Sequence, residues 1–277
     1  MTLRSATKYC VVLASVLTFV GCESSRDAAP GIDRKSGPLA DERYQWTAAA
    51  GIDLLTGPAV PIRAFVESRL DAQAMASLDY AYPGFDEAVA NPAPGEEHDM
   101  LTNNLRPDED RSAGASASDS VRIGNDRLRI QSLTHDGNDV TAIVCHYRYG
   151  LAIEQQNGEF VSVVHDSVND DGIEAMMVKL RAPAQGSEPL PPQSGPAPAP
   201  TADVFGGWKI VGFLNGIRSP EPDFDKVWLT FDADTATCVE HAPEPPARRA
   251  FLSEGEHPRS DFPTSPPVPG WPEAVSE

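Results

Sequence analysis

The chain has 277 residues, with 22 Lys and Arg against 41 Asp and Glu, a formal net charge of −19, and 26 prolines. That length suits one sizeable domain with appendages, or two small domains. The acidic balance repels phosphate backbones and anionic headgroups, so it argues against nucleic acid as a partner and against a polybasic membrane contact.

In chain order, Arg4 and Lys8 precede an uncharged, mostly apolar run from Tyr9 to Gly21. This is the order of a signal peptide, and the run is too short to span a bilayer comfortably. It closes on Phe19-Val20-Gly21-Cys22, which resembles the bacterial lipobox, with Phe19 where that motif usually carries an aliphatic residue. The resemblance implies cleavage before Cys22, lipidation of Cys22 with acyl chains such as palmitate, and a domain on the extracytoplasmic side of the cell membrane. A single chain binds only marginally, at about 0.8 kcal/mol per buried methylene, so stable anchoring needs the several chains of a lipidated cysteine. Loss of Arg4 and Lys8 leaves 20 basic against 41 acidic residues, a charge of −21. More broadly, the chain looks like secreted lipoproteins of actinobacteria, mycobacteria and their relatives among them.

Residues 22–45 hold Ser24, Ser25, Pro30, Gly31, Lys35, Ser36, Gly37 and Pro38 with few large apolar side chains, the composition of a flexible tether. Residues 41–82 read as helical. Around 46–55 a short helix is expected, and after Pro58 and Pro61 a longer one. There Ile62, Phe65, Val66 and Leu70 form the apolar face, Arg63, Glu67, Arg69 and Asp71 the other, and Pro83-Gly84 the stop. From Val121 the period becomes two. A turn is expected at 124–126, then strands over 127–134 and 140–149. Asn157-Gly158 should join strands 151–155 and 160–165, followed by strands at 173–181 and 208–214. A last hairpin is expected from 226–231 and 237–241 around Asp232-Ala233-Asp234. The prolines of 183–200 and 243–277 read as coreless, disordered segments. The organisation is thus a signal peptide (1–21), a tether (22–45), an α+β domain (46–242) with an insertion at 183–200, and a tail (243–277).

Helices followed by a curved antiparallel meander ending in Gly206-Gly207-Trp208-Lys209-Ile210-Val211 are similar to the NTF2-like fold, a cone of sheet around N-terminal helices. That resemblance implies a pocket, used by different members for catalysis, ligands or dimer contacts, so fold alone decides no activity. With Cys10 in the leader and Cys22 lipidated, Cys145 and Cys238 remain as a disulfide candidate in an oxidising compartment, two separately buried thiols being the alternative.

Sought chemistry is missing. Neighbouring strand residues face opposite ways, so neither Cys145-His146 nor His165-Asp166 makes a dyad. Glu96-Glu97-His98-Asp99 and Asp232-Ala233-Asp234-Thr235 read as loop and turn before metal sites. No hydrolase elbow, zinc-protease motif, phosphate loop or dinucleotide fingerprint occurs. The expectation is therefore a non-catalytic module without cofactor or metal, binding an envelope protein or a small ligand. Tyr80, Tyr82 and Trp208 are its pocket candidates. The alternative is a pocket hydrolase or isomerase using Asp79, Asp86 or His146.

Overall fold

The computed structural model describes residues 33–90, 99–107, 120–164, 172–216 and 223–274. It is α+β, with eight strands in one open sheet. Strand β1 (Asp41–Ala48) runs parallel to β2 (Arg122–Asp136), and every other pairing is antiparallel. Strand β3 (Asp139–Tyr147) returns along β2; after a 3-10 turn at Arg148–Gly150 the chain rejoins β2 as β4 (Leu151–Glu154). Strands β5 (Phe160–Ser162) and β8 (Glu256–His257) extend the sheet from β4, while β6 (Ile173–Arg181) and β7 (Lys209–Leu214) extend it from β3. The Asn157-Gly158 hairpin and the 173–181 strand lie where alternation and turn chemistry put them. The turn expected at 124–126 is absent, because β2 passes straight through it. Gly124 (φ +107°) is there for a close crossing: a Cβ would sit 2.0 Å from the Gly150 carbonyl oxygen.

Both faces of the sheet are buried, so period two places apolar side chains on each in turn. Val140, Ala142 and Val144 pack with helix α1 (Ala59–Met75) and the short α2 (Phe85–Ala88). Ile143, Cys145 and Tyr147 pack the other way, with residues of α3 (Phe224–Val227), α4 (Phe231–Glu240) and α5 (Pro246–Ser253). The expected hairpin over 226–241 is thus helical. A strand would bury Leu229 beside Val227 and Phe231, yet Leu229 is 84 % exposed, and the buried residues are Phe224, Trp228, Phe231 and Cys238 at helical spacing. Cys145 of β3 and Cys238 of α4 form the disulfide, with Cα atoms 5.3 Å apart, and pin that helical layer to the sheet. A loop closed over 93 positions is worth roughly 4.7 kcal/mol in the chain-entropy treatment.

The N-terminal region differs as well. Trp46 lies in β1, not in a helix, because Tyr44 and Trp46 alternate inward against α1. Helix α1 ends at Met75 on Ala76 in the left-handed region (φ 51°), well before Pro83-Gly84.

The segments expected to be disordered are docked at specific described residues. Lys35 and Leu39 are buried, and residues 246–253 are helical. Beyond them, Val268 bonds to Tyr44 and Trp46 along the free edge of β1. Trp271 is 1 % exposed and exchanges two backbone hydrogen bonds with Ala197 of the proline-rich insertion. These segments lack periodicity because each is held by a few specific anchors instead of a continuous apolar face. The tail also shields the edge of β1, and Val89 and Leu101 shield that of β7.

Candidate functional site

Two places concentrate chemistry. The first is the face of α1 expected to meet solvent, where Arg63, Glu67 and Asp71 recur every four residues and are all buried. Glu67 Oε1 accepts from the Trp46 indole at 2.7 Å, and Oε2 accepts from the Tyr82 hydroxyl and the Trp271 indole at 2.8 Å each. Arg63 donates to the carbonyls of Leu54, Gln193, Pro269 and Gly270, and its guanidinium carbon lies 4.2 Å from the centre of the Trp271 ring. Asp71 Oδ1 accepts from Lys35 Nζ and the Tyr44 hydroxyl, both at 2.7 Å.

Burial raises Glu67, against the pull of Arg63 and the three donors. It also raises Asp71 to about 6, with Lys35 opposing and Glu42 adding to the rise. Tyr44 and Tyr82 are pushed up by the same burial and then by the neighbouring carboxylates. Perturbed acids often mark catalytic sites. Here they are sealed beneath the N-terminal segment, the insertion and the tail, and their donors come from within the chain. The cluster is a keystone that ties three segments to one helix.

The second place is a groove of about 250 Å³ between the start of α1 and the insertion. Its helix side is Gly57, Val60 and Pro61, and its outer side is Pro183, Ser187, Glu188, Pro189 and Leu190. Trp208 stands at the entry to β7 and lines it. Leu190 reaches this position because Gly206 (φ +58°) has no Cβ; one would lie 2.8 Å from the Leu190 side chain.

Of the three aromatic candidates, only Trp208 meets the groove. Tyr82 is 2 % exposed and belongs to the keystone, and half-buried Tyr80 closes the 3-10 turn Leu78–Tyr80 outside the groove lining. Asp79 and Asp86 are exposed, Asp86 paired with Arg106 at 2.8 Å, and His146 is buried with Nε2 2.7 Å from Asp126 Oδ1. None of these three lines the groove. His146 and Cys145 do point to opposite faces, as strand geometry requires. The groove residues that sequence reasoning missed, Glu188 and Leu190, sit in the aperiodic insertion, where no local signal foretells docking.

Cys22, His165-Asp166 and Glu96 to His98 lie outside the described residues, and Asp99 instead accepts from the backbone N–H of Thr102 at 2.9 Å. Among the described residues no three His, Cys, Asp or Glu side chains converge as metal ligands, and no helix is long and apolar enough to cross a membrane. No family model matches the chain, and no curated protein or solved structure matches it.

Proposed function

We propose that this is a lipid-tethered envelope protein, anchored through Cys22, whose domain binds a small ligand or the apolar group of a partner without catalysing a reaction. The observation that carries the binding reading is the groove itself: walls of proline, valine and leucine beside a half-exposed tryptophan, with Glu188 its sole ionisable lining residue. An apolar concavity with a few polar groups is the ordinary form of a ligand site. The strongly perturbed acids Glu67 and Asp71 lie apart from it, whereas a pocket enzyme needs them within reach of substrate. The anchor rests on the sequence ending in Gly21-Cys22, and an NTF2-like relationship rests on the long helix against the sheet and on Gly206-Gly207-Trp208 leading into β7.

An uncharged environment-sensitive dye such as Nile red tests the groove. Its emission should shift on binding to the wild type and lose that shift in Trp208→Leu, at unchanged far-ultraviolet circular dichroism. An equal response from both proteins removes the groove from consideration. For the anchor, Cys22→Ala should move the protein out of the membrane fraction; identical fractionation of the two contradicts lipidation.

A further inference from the structure

We propose that the groove selects organic cations, meaning an apolar group that carries a substituted ammonium, over guests that carry a carboxylate or sulfonate. This rests on the groove being the ligand site. Its electrostatics point one way. Glu188 lines it, and the hydroxyl of lining Thr56 donates to Asp53 Oδ2 at 2.7 Å, which orients a second carboxylate at that end. Bonds from Thr56 and the Leu55 N–H hold Asp53 below the usual carboxylate range, so it stays ionised.

No Lys, Arg or His is among the lining residues. The cations nearest in sequence are engaged elsewhere: Lys209 donates to the Glu87 carbonyl at 2.6 Å, the two terminal nitrogens of Arg63 donate to four carbonyls, and Arg181 pairs with Asp139. An anion entering here therefore meets the Glu188 carboxylate, with exposed Asp53 beside lining Thr56, and no lining counter-charge, within a chain of net charge −19.

Trp208 supplies the attraction for a cation. Its ring is half-exposed in the groove, and among the described residues no Lys or Arg is stacked over it. Tryptophan is the best of the aromatic faces for an ammonium, and the interaction strengthens as water is excluded. The walls of Pro61, Pro183, Pro189 and Leu190 exclude it without losing rotamer freedom at the prolines. A volume of about 250 Å³ admits one ring or a trimethylammonium with a short alkyl stem, leaving the rest of a larger molecule outside.

The test is a matched pair of probes, naphthylmethyl-trimethylammonium and naphthalenesulfonate, titrated into the full chain by calorimetry. The Trp208 indole N–H resonance is followed in parallel. The ammonium should bind roughly tenfold more tightly than the sulfonate, and Glu188→Gln should shrink that ratio severalfold. Trp208→Leu should abolish ammonium binding. Equal affinities, or a tighter sulfonate, overturn charge selection while leaving the groove as the binding site. If neither probe binds, or Trp208→Leu changes nothing, the groove reading itself fails and selection falls with it.

Discussion

The indole N–H of Trp271 donates to Glu67 Oε2 at 2.8 Å, across 204 positions of the chain. The same carboxylate accepts from Tyr82 and Trp46, and the neighbouring Arg63 donates to the successive carbonyls of Pro269 and Gly270. One turn of α1 thereby holds β1, the segment after the helix, the insertion and the tail.

Removing the Trp271 ring should accordingly cost far more than a surface change. Trp271→Ala should lower stability by about 3–5 kcal/mol, the range for large aromatic truncations in a core. Trp271→Phe keeps most of the packing but withdraws one donor from a buried carboxylate, a loss of about 1–3 kcal/mol. Urea midpoints at constant slope measure both. A shift below about 0.5 kcal/mol for the alanine variant, the ordinary surface range, would mean that the tail is not docked.

Backbone protection gives a second measure of the flanks. The amides of Val268, Trp271 and Ala197 each bond to a carbonyl of another segment. Hydrogen exchange should therefore find these three slow, whereas a disordered proline-rich tail would exchange at the unprotected rate. Rapid exchange at Trp271 and Ala197 would restore the disorder that composition alone suggests.

The disulfide makes a third case. Mapping of the unreduced protein should recover one peptide pair joined through Cys145 and Cys238. Reduction, or Cys238→Ser, should cost about 2–5 kcal/mol, with the larger effect on the α3–α5 layer. Two thiols that alkylate freely without reductant would contradict the link.

Asp71 makes stability depend on pH in a defined direction. Burial holds its carboxyl at about 6, above the ordinary 3.8, so the folded chain binds that proton more tightly than the unfolded chain does. The stability gained from this group is full below its unfolded value and is lost as pH rises through about 6. Asp71→Asn cannot titrate, and it leaves Lys35 buried without its counter-charge, which costs about 3–5 kcal/mol wherever Asp71 would be ionised. The slope is the test: unfolding free energies of wild type and variant, taken from about pH 4 to about pH 7, should differ in slope across that window. Parallel curves would show that Asp71 titrates as an ordinary carboxylate.

Local patterns make a large part of this protein legible in its sequence. Asn157-Gly158 allows few backbone shapes, so the β4–β5 hairpin follows from two residues. The run of 173–181 is β6 residue for residue, and Cys145 and Cys238 form the disulfide that the cysteine count made a candidate. The body of α1 is marked by Ile62, Phe65 and Val66. The alternation of Val227, Leu229 and Phe231 misleads, since it competes with the helical spacing of Phe224, Trp228 and Phe231, and only the sheet face beneath can choose between them. The same holds for the keystone. Arg63, Glu67 and Asp71 carry the sequence mark of a solvated face, because a charged side chain is buried only when specific partners replace its water. Those partners, Lys35, Trp46, Gln193, Pro269 and Trp271, come from both ends of the chain and its most aperiodic segments. Short-range patterning thus determined the core strands β3 to β7 and the body of one helix. Long-range hydrogen bonding to buried charge, which has no period, decided where the flanks lie, which faces are interior and where the groove opens.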